Sequence, residues 1–230
     1  MLTRGKFIVI EGIDGSGKSV QFNKLVEYLD SKGHEITPFD FPQYNEPSSY
    51  FVKEYLAGHY GPSKEVGPYR ASLFYALDRF AAKEKLNIAL DSGKLVVSNR
   101  YVASNMGHQG ANLKDGNERE KLFLWINEIE FKILTIPEPD LNIVLHVPAE
   151  ISYRLIKERE EKGERGGAKR DIHELDLDHL KAAEESYLLA AKLFPSRFHL
   201  IECAPQGQLM TIDEIQVKIR AKVEEVISKN

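Results

Sequence analysis

This sequence predicts an α/β protein: a five-stranded parallel sheet flanked by helices in three layers. Three observations carry the prediction. Short apolar, β-branched runs recur along the chain, helical apolar spacing fills the intervals between them, and the first run leads directly into a glycine-rich loop and a helix.

The first strand is the run Phe7-Ile8-Val9-Ile10, and Phe22, Leu25, Val26 and Leu29 mark the first helix, which Gly33 stops. Residues 35–41 read as a second strand, and Pro38 makes it short or places it at a sheet edge. A loop over 42–49, a short helix bearing Phe51, Tyr55 and Leu56, and a Gly/Pro-rich break over 58–67 follow. From Pro68 a single long helix is expected to about Asp91, ending at Gly93, before the buried strand Leu95-Val96-Val97. Residues 101–116 read as a polar loop, then a helix carries Leu122, Trp125, Ile126 and Ile129 and is closed by Pro137 and Pro139. A strand over 141–147, a helix opened by Pro148 and a charged, glycine-bearing run over 157–171 come next. Leu180, Ala183, Tyr187 and Ala190 mark a further helix, 198–202 the last strand, and Ile212, Ile215, Ile219 and Val223 the last helix, with Thr211 and Glu214 spaced as a capping box. There is no internal repeat, and the expectation is one domain over 1–230.

Between the first strand and first helix lies GIDGSGKS, residues 12–19, which fits GxxxxGK[ST]. Gly12, Gly15 and Gly17 free the backbone for unusual dihedrals, so the amides of Gly12, Ile13, Asp14, Gly15, Ser16 and Gly17 can turn toward phosphate oxygens at a helix N-terminus. Lys18 then reaches the β- and γ-phosphates, and the Ser19 hydroxyl can ligate Mg²⁺, so ATP with Mg²⁺ is the expected donor. The strand and helix around it give the expected fold its full description, a three-layer P-loop NTPase, with ligands beyond the carboxyl ends of the strands.

Composition bounds the rest. The 230 residues are 42% hydrophobic and 29% charged, ordinary for a globular chain, and the net charge of −4 argues against nucleic-acid binding through a basic surface. The lone Cys203 has no internal disulfide partner and reads as a packed strand-end residue. No apolar run is long enough to span a bilayer, and the start runs straight into the first strand without a signal peptide, so the expected location is the cytoplasm. The histidines show no metal-ligand spacing.

FYALDRF, residues 74–80, suggests an acceptor. Tyr75 and Arg79 stand four apart on one helix face, setting a ring that can stack on a base beside a guanidinium that can grip an anion. The same residues also fit a bland reading, aromatics in a core and an arginine paired with a carboxylate. Arg100 stands at the carboxyl end of the third strand, where the sheet rule puts ligands.

Taken together, the phosphate loop preceded by Glu11, the Phe41-Pro42 pair, LDRF around Arg79, NRYVASN over 99–105, PDL over 139–141 and the charged segment before Asp171 resemble the thymidylate kinase family, over nearly the whole chain and in the right order. The resemblance implies transfer of the γ-phosphoryl of ATP to dTMP, giving dTDP and ADP for dTTP synthesis, with Mg²⁺ and in a homodimer. It implies that Asp14 contacts the sugar 3′-hydroxyl, Tyr75 stacks on thymine, Arg79 is shared between base and acceptor phosphate, and Arg100 orients that phosphate. Phe41 and Pro42 belong to the same acceptor site, and Ser104 and Asn105 match positions that contact the pyrimidine. The charged segment, about 157–171, matches a lid over ATP; because Gly15 and not an arginine follows Asp14, the catalytic arginine is expected from that lid, with Arg159, Arg165 and Arg170 the candidates.

Two positions depart from the family pattern. Asn99 stands in place of an aspartate, which weakens its claim on Mg²⁺, and His108 stands where a tyrosine is common near the deoxyribose. They leave open a kinase of another pyrimidine monophosphate such as dUMP or UMP, a deoxynucleoside kinase, and a weakly active nucleotide-binding regulator.

Overall fold

The computed structural model describes residues 3–162 and 176–229. Five parallel strands form one sheet in the order β2-β3-β1-β4-β5: β1 (Phe7–Glu11), β2 (Ile36–Asp40), β3 (Leu95–Asn99), β4 (Leu141–His146) and β5 (Phe198–Glu202). Alternation along β1 divides the core. Ile8 and Ile10 face one layer with Leu25 and Leu29 of α1 (Lys18–Ser31) and Ile215, Ile219 and Val223 of α10 (Ile212–Ile227). Phe7 and Val9 face the other, with Leu86 and Leu90 of α5 (Lys83–Asp91), Met106 of α6 (Val102–Gly110) and Leu122, Phe123 and Ile126 of α7 (Gly116–Asn127). Both faces of the central strand are therefore apolar, and β1 is wholly buried. The strand carrying Pro38 lies at an edge, where a missing N–H costs no ladder bond.

Helix ends follow their local chemistry. Thr211 and Glu214 form the reciprocal capping box at α10, Asp115 accepts from Asn117 N at the start of α7, and Asp176 accepts from Asp178 N and His179 N at the start of α9 (Leu177–Leu193). The short helices α2 (Tyr50–Leu56) and α3 (Ser63–Val66) pack on α4 (Pro68–Ala81) around Tyr55, Val66 and Ala71. Cys203 is buried just after β5, and burial pushes its thiol up to about 12, so it is an inert packing residue.

Two expectations from the sequence are corrected. The single helix over 68–91 is two, α4 and α5, divided at Ala82, whose N–H bonds back to Arg79 O in a tight turn. The polar loop over 101–116 is mostly helix α6. Its sequence VASNMGHQG is a poor helix former by propensity, so contact with α9 explains it: a Cβ at Gly107 would lie 2.1 Å from the Tyr187 ring, and one at Gly110 2.1 Å from Ser186 Oγ. The glycines let the two helices approach so closely that tertiary packing overrides propensity.

At the carboxyl end of β4, His146 Nδ1 lies 2.6 Å from a Glu202 oxygen and its Nε2 lies 2.8 Å from Glu184 Oε1, while Glu184 Oε2 accepts from Ala149 N at the start of α8 (Ala149–Glu161). Donating to both carboxylates requires the imidazolium, because a neutral ring has one N–H. The Glu184 bond, against the opposing effect of partial burial and with help from Glu202, raises His146 from 6.5 to about 9. A raised pKa stabilises the fold fully below pH 6.5 and progressively less as pH rises through 9. Urea titrations should therefore show unfolding free energy falling between those limits. His146→Gln should flatten that fall, and an unchanged profile in the variant would refute the assignment.

Candidate active site

The site forms where the carboxyl ends of β1, β2 and β3 meet. The first of its parts is the 12–19 loop. Gly17 (φ 86°) caps α1 in the left-handed region, and Lys18 folds back to donate to Ile13 O at 2.6 Å, 3.8 Å from Asp14 Oδ1. Gly15 (φ 81°) passes under α8, where a Cβ would meet Ser152 O at 2.6 Å and Ile156 Cγ1 at 2.9 Å. Any larger side chain at position 15, an arginine included, would collide with that helix.

Glu11, at the end of β1, is fully buried and accepts four hydrogen bonds: Tyr101 N at 2.7 Å, Ser104 N at 3.1 Å, Ser104 Oγ at 2.7 Å and Tyr187 OH at 2.9 Å. A carboxylate so placed caps the start of α6 and fixes the turn after β3. In that turn Arg100 holds φ 65°, a conformation disfavoured for a side chain with a Cβ; Ile10 O accepts from its N–H, and Ser98 Oγ donates to its carbonyl. The consequence is a guanidinium aimed back at the phosphate loop, where it bonds Asp14 Oδ1, with Nη1 donating to His108 Nε2 at 2.9 Å.

The charges of this cluster shift one another. Burial works against the Asp14 carboxylate, but Arg100, by charge and by hydrogen bond, together with Lys18 outweighs it and holds the group well below the usual range. Burial lowers the Arg100 pKa, yet Asp14 overrides it and drives the value up, so the guanidinium stays charged. Burial pushes His108 well down despite Asp14, with Arg100 and the stacked His179 ring, 6.0 Å away, adding to the effect, so the ring is neutral and Nε2 is free to accept from Arg100. Burial together with Arg100 draws Lys18 down to about 7.

Beside the loop opens a cleft lined by Asp14, Phe41, Pro42, Tyr75, Arg79, Arg100, Ser104, Asn105 and His108, all of them expected from the sequence, and also by Tyr44, Asp78, Tyr101 and Gln109. Arg79 is 2% exposed and pairs with Glu130, itself 1% exposed, through two parallel bonds of 2.6 Å, with Nη1 donating to Tyr101 O. Burial lowers Arg79, and Glu130 more than restores it, so the guanidinium stays charged. Asn105 Nδ2 donates to Ser72 O and Glu130 Oε1. Asp78 Oδ2 accepts from Gln43 N at 2.8 Å and its Oδ1 from Ser48 Oγ at 2.5 Å, which pins the segment following the cis Phe41-Pro42 bond to α4.

Sequence reasoning missed Glu130 and the binding role of Glu11. Glu130 sits in a π-helical turn, Glu128–Ile133, that continues α7; the wider turn rotates a residue of the outer, charged-looking helix into the core. Nothing in the local pattern EIEFKI marks one glutamate as buried. A Tyr187 hydroxyl reaching Glu11 from α9 was likewise invisible without the α6–α9 packing.

Of the lid candidates, Arg159 lies exposed in the last turn of α8, whose final residue is Glu161, and its charge acts on Lys18; Arg165 and Arg170, with most of the expected lid, lie outside the described residues. On the metal side, Ser19 Oγ stands 3.5 Å from Asn99 Nδ2, and Asn99 Oδ1 is buried with no hydrogen-bond partner among the described residues. These are oxygen donors beside a phosphate loop, a set that suits Mg²⁺. Among the described residues there is no cluster of three or more His, Cys, Asp or Glu that would hold a metal by itself, and no helix long and apolar enough to cross a membrane.

Comparison with known proteins bears on the family to which the chain belongs. The family model described as thymidylate kinase matches residues 10–211. A thymidylate kinase of Caldanaerobacter subterraneus is 32% identical over 201 residues, 86% of this chain and 88% of the relative. One from Mycobacterium tuberculosis is 31% identical over 172 residues, 74% and 78% of the two chains, and a probable thymidylate kinase of Pyrococcus horikoshii is 29% identical over 96% of both. With its phosphate loop, its five-stranded parallel sheet and a family match running through both, this chain belongs to the thymidylate kinase family.

Proposed function

We propose that this chain transfers the γ-phosphoryl group of ATP to the phosphate of dTMP, giving dTDP and ADP. The observation that carries the reading is Arg100, whose guanidinium stands between the phosphate loop and the cleft and touches residues of both. An acceptor phosphate held there faces the γ-phosphorus, its oxygen forms the new P–O bond, and the bond to the β-phosphate oxygen breaks as ADP leaves.

The chain's own groups supply positioning and charge. The loop amides and Lys18 bind the donor phosphates, whose negative charge returns Lys18 to its ammonium form. Phe41, Pro42 and Tyr75 give the base an apolar slot, with Tyr75 set edge-on to Tyr55 at 6.3 Å. Arg79 approaches it as a preorganised fork already fixed by Glu130. Asp14 faces the sugar as an acceptor, neutral His108, whose Nε2 already accepts from Arg100, has its Nδ1–H left to donate, and Ser104 and Asn105 line the pyrimidine end. Mg²⁺, held through Ser19 and its waters, would neutralise the β- and γ-oxygens. Arg159 is the catalytic cation supported within the described residues, since it rides on the helix that covers Gly15.

Coupled detection of ADP should show release that depends on dTMP. Lys18→Ala should lower kcat by about 10²–10³-fold, the scale of losing one preorganised donor at developing charge. Equal or better turnover with UMP, or ADP release indifferent to any monophosphate, would contradict the assignment.

We also propose a homodimer. One face of α4 exposes Tyr69 (41%), Leu73 (37%), Leu77 (43%) and Phe80 (44%), an apolar stripe on the helix whose other side carries Arg79. A second copy against it would brace the acceptor wall. Light scattering should give twice the chain mass, reduced to one by Leu77→Glu; a wild-type monomer at micromolar concentration would exclude the arrangement.

A further inference from the structure

The neutral Asn99 poses a problem for the metal side of the donor site, because an amide offers Mg²⁺ and its water shell no charge. The sheet supplies an answer one strand away. Asp40 ends β2 directly opposite Asn99 in the parallel register, and Asn99 Nδ2 donates to Asp40 Oδ1 at 2.9 Å while lying 3.5 Å from Ser19 Oγ. One amide group thus joins the loop hydroxyl to a carboxylate. Asn99 itself is 6% exposed, and its Oδ1 is buried without a partner among the described residues, an acceptor waiting for a donor such as a metal-bound water. Asp40, in contrast, is exposed; partial burial of its carboxyl raises its pKa, and the Asn99 amide, Arg100 and Lys18 work against that rise in favour of the charged form.

We propose that Asp40 is the carboxylate of the metal-water shell in this chain, with Asn99 as the neutral bracket that positions it beside Ser19. The negative charge has moved one strand outward along the sheet. Mg²⁺ tolerates the displacement, because it dehydrates reluctantly and is held in nucleotide sites by one or two carboxylates, retained waters and the phosphates themselves. The arrangement also accounts for the amide at position 99. A second carboxylate 2.9 Å from the first would repel it, whereas the amide N–H binds it.

The inference rests on the reading that the 12–19 loop binds a metal–nucleoside triphosphate, and it requires no acceptor nucleotide. Its test is therefore the equilibrium affinity for ATP measured by calorimetry in Mg²⁺ and in EDTA, the ratio of the two being the metal's contribution. Asp40→Asn should lower that ratio about tenfold, the scale of losing an outer-shell partner, while affinity in EDTA stays the same or improves. Asp40→Asn with Asn99→Asp, which returns the charge to β3, should restore the ratio. If Asp40→Asn keeps the wild-type ratio, or the double variant fails to recover it, the inference is overturned and the phosphotransferase reading stands. If the wild type binds ATP no better with Mg²⁺ than with EDTA, the reading beneath it falls and takes the inference along.

Discussion

A carboxylate with no access to solvent holds this site together. Glu11 is the last residue of the central strand, and its two oxygens receive the first backbone donors of α6, the Ser104 hydroxyl and the Tyr187 phenol of α9. A buried charge is tolerated only when it is met by several donors, and each donor here belongs to an element that the site needs in place. The strand end that launches the phosphate loop, the turn that aims Arg100 and the helix that carries His108 are thereby fixed by one group. Backbone strain at Arg100 persists because this network overdetermines it.

The two arginines of the cleft divide the work according to burial. Arg79 and Glu130 are so enclosed that separating them would leave a bare charge in the core, at a cost of about 3–5 kcal/mol. Arg79 is therefore a fixed fork. Arg100 and Asp14 are 21% and 13% exposed, and water and an incoming phosphate can compete for that contact. On the proposed reading the same side-chain type serves as rigid wall and as adjustable clamp, and the difference lies wholly in the surroundings. Tyr75, partly buried against Tyr55, belongs with the rigid wall.

Much of this was legible in the sequence, and where it was not the reason is physical. The strands announced themselves by apolar content and the phosphate loop by glycines at fixed offsets, because those constraints are local. Every acceptor-site residue expected from motif resemblance lines one cleft. Helix α6 was unreadable because its stability comes from Gly107 and Gly110 lying against α9, a contact between segments distant in the chain. The break at Ala82 left no Pro or Gly to betray it. Glu130 was hidden by a π-helical turn, which breaks the periodicity by which a buried face is recognised. Asp40 stood beside the Phe41-Pro42 pair, but its relation to Asn99 exists only through strand pairing.

The central claim is that the cleft beside the phosphate loop receives a pyrimidine nucleoside monophosphate between a fixed wall and a movable clamp. A crystal structure with dTMP bound tests it most directly. The account predicts thymine against Tyr75 and Phe41, the phosphate on Arg100, and Arg79 still forked on Glu130. Nucleotide bound elsewhere, or Arg79 drawn off Glu130 to hold the phosphate alone, would contradict it.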